Sequence, residues 1–201
     1  MRYWKRVLAV LVVALLALVI EGWASNAQGA PEGAKACKFT KTPGIPAQVK
    51  PPKPIASTDG QVKVTLQTNL GQIELQLDRK DAPCAVHSLS TLAKGEFYDG
   101  SSCGKLTTAV LECGPVEPGY HFKVELTGQE TYPRGTVAMS NQGENASRFF
   151  LVHQTIELPP ESTVVGQITD GLDVLDEVVA GGIGADERPA TPVWIAKAQV
   201  N

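Results

Sequence analysis

QVKVTLQTNLGQIELQLDRKDAPCAVHSLSTLAKG, from Gln61 to Gly95, changes its hydrophobic period once, and that change decides the fold. Val62, Val64 and Leu66 alternate with polar residues; after Asn69-Leu70-Gly71, Ile73, Leu75 and Leu77 alternate again. A period of two puts each apolar set on one face, so two such runs around a short turn predict an antiparallel hairpin. Beyond Asp78 the spacing becomes helical, through Val86, Leu89, Leu92 and Ala93. Asp81 stands as a candidate N-cap, Pro83 falls in the first turn and Gly95 ends the helix.

Working outward, strand-forming stretches recur over Leu106–Glu112, Gly135–Ser140, Arg148–Val152 and Thr163–Ile168. A second helix is expected over Leu172–Val179, with Leu172, Leu175 and Val179 on one face, and TPVWIAKAQV closes as a strand. Many short strands with two helices define a mainly β class: a closed antiparallel barrel capped by two α-helices.

The N-terminal residues belong to a different regime. Arg2, Lys5 and Arg6 precede fourteen apolar residues, Val7 to Ile20, and Ala24, Ser25 and Ala27 follow Glu21. A positive start, short apolar run and small-residue exit predict a signal peptide over residues 1–27, or an uncleaved N-terminal anchor. The run is shorter than the roughly 18 residues of a spanning helix. Either way the chain is expected outside the cytoplasm, secreted or held at the membrane by that segment. Residues 28–60 are rich in Pro, Ala and Lys, as in PAQVKPPKPIAST, and read as an extended tether to a domain over 61–201. In an exported chain Cys37, Cys84, Cys103 and Cys113 read as two disulfides, with three possible pairings. No cysteine or histidine spacing suits a metal, and His87, His121 and His153 read as surface or packing residues. A net charge of −3 argues against a nucleic-acid partner.

Three ordered segments carry a resemblance. TNLGQIELQLDRKDAPCAVHSLSTLAKGEFYDG, YPRGTVAMSNQGENASRFFLV and LPPESTVVGQITDGLDVLDEV, within Val62–Val200, resemble the cyclophilins, the cyclosporin-binding peptidyl-prolyl isomerases. The resemblance implies an eight-stranded barrel, a monomer, no cofactor, and action on proline-containing segments of exported proteins. It also implies residue roles. The family's Phe-His-Arg motif reads Cys103, Gly104, Lys105, so Lys105 takes the catalytic arginine's place. Lysine keeps the charge but lacks the planar guanidinium fork. Phe-Met-x-Gln becomes Ala109, Val110, Leu111, Glu112, and the glycine-rich loop beyond it is missing. Ser-Gln-Phe-Phe becomes Ser147, Arg148, Phe149, Phe150, which retains the pocket phenylalanine as Phe150. Met139, Ser140, Asn141, Gln142 and Leu158 align with substrate-contacting positions, and the cyclosporin-contacting tryptophan is replaced by Glu157.

On this reading Lys105 and Phe150 are the catalytic pair, and Val110, Glu112, Met139, Ser140, Asn141, Gln142, Arg148 and Leu158 bind substrate. Lys105 and Glu112 fall on adjacent strands of one hairpin, where a salt bridge between them would occupy the cation. Arg148 offers a substitute guanidinium from a neighbouring strand, although the family's usual place for that position is the rim. Cys103 and Cys113 lie on that same hairpin and are a candidate disulfide. Two functions compete: a prolyl isomerase of weakened activity, and an inactive cyclophilin-fold module that binds proline-containing peptides.

Overall fold

The computed structural model describes residues 30–115, 117–140, 143–157 and 159–201, and the predicted signal or anchor segment lies outside them. Strands β1 (Ala34–Ala36), β2 (Thr40–Lys41) and β3 (Ile55–Ser57) precede the hairpin of β4 (Gln61–Thr68) and β5 (Gln72–Asp78). Helix α1 (Pro83–Lys94) follows, then β6 (Ser101–Ser102), β7 (Lys105–Leu106), β8 (Val110–Cys113), β9 (Tyr120–Lys123), β10 (Thr136–Met139), β11 (Glu144–Asn145), β12 (Phe149–Val152) and β13 (Val164–Asp170). Helix α2 (Leu172–Ala180), a 3₁₀ turn at Ala185–Glu187 and β14 (Trp194–Val200) complete the order.

Nine strands form one antiparallel sheet in the order β6-β14-β4-β5-β13-β10-β12-β8-β7. Its two outermost strands, β6 and β7, are joined in the chain by Cys103-Gly104 alone, so the sheet curls until they approach at that dipeptide. They share no ladder, and the expected closed barrel is left open there. The Cys103–Cys113 disulfide, which with Cys37–Cys84 makes one of the three pairings open to the sequence, crosses this seam. The backbone N–H of Gly114 donates to Ser102 O at 3.2 Å and that of Cys103 to Val193 O at 2.9 Å.

The strand expected over Leu106–Glu112 is instead a tight hairpin. Thr107 Oγ1 accepts the N–H groups of Ala109 and Val110 at 3.2 and 3.1 Å, which turns the chain between β7 and β8. A threonine hydroxyl that bonds its own backbone competes with the ladder, so one expected strand becomes two and the sheet counts nine. Inside the curl, Val64, Leu66, Leu75, Leu77, Leu111, Val137, Met139, Phe149 and Leu151 make the core. Leu175 and Val178 of α2 and the buried face of α1 close its ends.

Asp81 does not cap α1. The N-cap is Ala82, without a side-chain bond, and the donors go to a distant carboxylate. Glu125 Oε2 accepts the Ala85 N–H at 2.8 Å, its Oε1 accepts that of Cys84 at 3.3 Å, and Lys35 pairs with it at 2.8 Å. An acid at a helix N-terminus meets the unpaired N–H groups and the positive end of the helix dipole.

Residues 30–60, expected as a tether, lie against the domain. β1 pairs with β3, and β2 pairs with β9 through Thr40↔His121 and Lys41↔Tyr120. Cys37 is bonded to Cys84 of α1, Phe39 packs edge-on against Tyr120 and Phe122, and Ala56 is buried. A few anchors suffice because the intervening prolines need no donor partner, a pattern that overall composition does not reveal.

Two tests follow from this strap. The 47-residue separation of Cys37 and Cys84 implies a chain-entropy contribution of about 4 kcal/mol. A Cys37→Ala/Cys84→Ala variant should lose stability of that order in urea unfolding. His87 Nε2 donates to Lys53 O at 3.2 Å, and burial, opposed by that bond and aided by Arg79 and Lys94, lowers its pKa from the usual 6.5. Its folded pKa lies below the unfolded one, so its contribution is complete above pH 6.5 and declines as pH falls below it. Urea midpoints between pH 7 and 5 should therefore fall more steeply for the wild type than for His87→Gln.

Candidate active site

Strand alternation settles which predicted residues meet. Register runs Lys105↔Glu112, Glu112↔Phe150, Phe150↔Ala138 and Ala138↔Val164, so one row crosses five strands of the outer face. Val110 and Val152 lie one row along and face each other across β8 and β12. Arg148, immediately before β12, precedes Phe150 by two residues, so both project on this face. Ser140 lies beside it, with its N–H donating to Arg148 O at 2.9 Å. Lys105, Val110, Glu112, Ser140, Arg148 and Phe150 therefore share one surface. Met139 does not: its side chain is fully buried in the core inside the curl, because period two turns it away from Ala138 and Ser140. Asn141, Gln142 and Leu158 lie outside the described residues.

The apolar half of the surface is a second cluster: Tyr132, Ala138, Phe150 and Val152, flanked by Val110, Ile156 and Val164. Tyr132 has its ring centroid 6.2 Å from that of Phe150, and its hydroxyl donates to Ser162 O and accepts from Ser162 N, both at 3.1 Å. Phe150 is thus only 7% exposed. Sequence reasoning missed Tyr132 and Ile156, which meet through an isolated bridge that no local pattern announces. His153 is a buried packing residue, as expected. Its Nε2 donates to Thr107 O at 3.0 Å and its N–H to Ala109 O at 2.9 Å, which fastens the β7–β8 turn to the end of β12. Ala109, where the resemblance expects phenylalanine, is buried in that turn.

The charged half pairs differently from expectation. Lys105 is opposite Glu112 in register, yet its ammonium lies 3.1 Å from Glu187 Oε2. Glu112 is instead engaged by Arg148, whose Nη1 donates to Oε1 at 2.7 Å, and by Ser140 Oγ, which donates to Oε2. Burial explains the sorting. Glu112 and Arg148 are 16% and 29% exposed, whereas Lys105 and Glu187 are 50% and 61% exposed. A guanidinium is less strongly hydrated than an ammonium and matches a carboxylate with its planar donors. It therefore takes the sheltered acid, and the lysine on the edge strand reaches outward. Glu187 gave no sequence signal, since it comes from the 3₁₀ turn far along the chain.

Comparison with known proteins identifies the family and the fold. The profile of the family described as "Cyclophilin type peptidyl-prolyl cis-trans isomerase/CLD" matches residues 63–200. The chain belongs to that family. It is 39% identical over 199 residues to a "Probable peptidyl-prolyl cis-trans isomerase B" of Mycobacterium tuberculosis, covering 85% of this chain and 62% of that one. A peptidyl-prolyl cis-trans isomerase of Helicobacter pylori is 36% identical over 132 residues, covering 59% of this chain and 81% of that one. Among solved structures, a cyclophilin type isomerase of Cryptosporidium parvum shares the fold with TM-score 0.65 and 19% identity, covering 71% of this chain and 98% of that one. The same protein has been crystallised in the presence of the dipeptide Ala-Pro.

The two ion pairs should differ in strength. Charge-assisted bonds to a sheltered carboxylate contribute roughly 1.5–3 kcal/mol, so Glu112→Ala should lower unfolding stability by about that amount. The exposed pair contributes roughly 0–1 kcal/mol and is screened by salt, so Glu187→Gln should cost less than that. Urea unfolding of both variants at low and high salt measures the contrast.

Proposed function

We propose that this chain is an exported prolyl cis–trans isomerase of attenuated activity, acting on Xaa-Pro bonds of extracytoplasmic proteins. The observation that carries the reading is the outer face itself, where an apolar cluster around Phe150 adjoins the guanidinium of Arg148 and the ammonium of Lys105. Rotation about an Xaa-Pro bond is resisted by amide resonance, with a barrier of roughly 18–20 kcal/mol. Catalysis needs no nucleophile. An apolar surface holds the proline ring, and a donor stabilises the twisted amide, whose nitrogen has recovered its lone pair. Only interactions stronger in that twisted state accelerate the reaction.

Attenuation follows from three features. Lys105 has no planar fork and is held toward Glu187. Ala109 offers a methyl in place of an aromatic floor, and little of Phe150 is open to a ligand. Losing one well-placed donor typically costs about 10²–10³ in rate. Export is supported by the N-terminal sequence pattern and by two disulfides, Cys37–Cys84 and Cys103–Cys113, which suit an oxidising compartment. A second reading, a module that binds proline-containing peptides without rotating them, is favoured by the Lys105–Glu187 pair, which diverts that cation.

An exchange assay on a proline-containing peptide with the full chain separates the two. We expect saturable acceleration with kcat/KM at or below about 10⁵ M⁻¹s⁻¹, the low part of the enzyme range. Phe150→Ala should reduce it by roughly 10–100-fold, as losing about 1.5–3 kcal/mol of aromatic burial requires. Exchange at the uncatalysed rate with peptide binding intact would overturn the isomerase reading in favour of the module.

A further inference from the structure

We infer that Arg148, held by Glu112 and Ser140, is the group that donates to the twisted prolyl amide, in place of Lys105. The assignment rests on the isomerase reading above and names the donor within it. Arg148, immediately before β12, and Phe150 on it project on the same face two residues apart, so their Cα atoms are roughly 7 Å from each other. Lys105 stands two strands from Phe150, roughly 10 Å away, with Glu112 between them. A proline ring resting on the Phe150 cluster therefore presents its nitrogen within reach of Arg148 first.

The guanidinium is also the better prepared of the two cations. Ser140 Oγ donates to Glu112 Oε2, and Glu112 Oε1 accepts from Arg148 Nη1 at 2.7 Å, so a side chain just past β10, one on β8 and one just before β12 form one chain of bonds. A guanidinium carries five N–H donors in a fixed plane. One is committed to Glu112, and the others meet no partner among the described residues. Orientation is thus set before substrate arrives, which is the condition for a donor to act without reorganising in the transition state. Lys105, by contrast, is half exposed, and its ammonium is directed at Glu187. Glu112, which the resemblance places among the substrate-binding residues, becomes in this geometry a positioning residue for Arg148.

The test compares Arg148→Ala and Lys105→Ala in the peptide exchange assay, with circular dichroism to establish that each is folded. Arg148→Ala should lose about 10²-fold in kcat/KM, chiefly in kcat. Lys105→Ala should lose less. Arg148→Lys should not restore the rate, because an ammonium lacks the planar fork. A readout that a purely structural role would not move is rescue: guanidinium chloride at about 50 mM, far below denaturing concentrations, should recover part of the Arg148→Ala loss, and ammonium chloride at the same concentration should not. A wild type that accelerates exchange while Arg148→Ala matches it, or a larger loss at Lys105→Ala, or a loss without guanidinium rescue, overturns the assignment and leaves the isomerase reading standing. A wild type without acceleration overturns both, and is recognised because no variant then differs from the uncatalysed rate.

Discussion

A β-sheet cannot end in water without exposing a row of unpaired N–H and C=O groups, and this molecule meets that constraint by bringing its two edge strands together. Ser101–Ser102 and Lys105–Leu106 are two residues each, lie at opposite ends of the nine-strand order, and are separated in the chain by Cys103-Gly104. The dipeptide forces the sheet to curl through its full width, and the Cys103–Cys113 bond ties the seam to the first strand inside it. The enclosed core follows from that curl, and so does the outer face. A row that begins at Lys105 on the seam runs through Glu112 and Phe150 to Ala138 and Val164 because β7, β8, β12, β10 and β13 are neighbours.

On that face, burial and ion chemistry divide the work. The centre is apolar, and the charged groups beside it are sheltered enough that geometry matters to them. Glu112 is satisfied twice, by a guanidinium and a hydroxyl, while the edge lysine turns to an acid in the outer 3₁₀ turn. Opposite charges directly across a ladder attract only modestly. A better-matched diagonal partner, together with the hydration of an ammonium, is enough to defeat the direct pair. The face thus holds two cations in different states, one oriented and partly desolvated, the other solvated and engaged elsewhere.

Outside the family-matched span, residues 30–60 show how little apolar surface is needed to dock a proline-rich segment when a covalent bond assists it. Cys37–Cys84 places Phe39 against Tyr120 and Phe122, and β2 then extends the small sheet of β9 and β11. At the same end, Glu125 caps α1 from a distance and holds Lys35, so one carboxylate links strap, helix and sheet. The natural local cap, Asp81, is left unused for that purpose.

The sequence by itself determined the β4–β5 hairpin, both helices, most of the longer strands and the family, since these rest on periods of two and 3.6 and on motifs contiguous in the chain. The motif resemblance named the candidate site residues, and alternation puts Val110 and Glu112, and likewise Arg148, Phe150 and Val152, on one face. The same alternation turns Met139 to the interior while its neighbours face out, against the substrate-binding place that the resemblance gives it. Only the tertiary structure decided the partners: Arg148 rather than Lys105 for Glu112, Glu187 for Lys105, Tyr132 over Phe150, Glu125 for the helix end, and the docking of residues 30–60. Each joins groups far apart in the chain, where competition among burial, hydration and donor geometry selects one partner from several of suitable charge. That selection depends on which atoms the curled sheet brings within bonding distance, a quantity that local pattern does not contain.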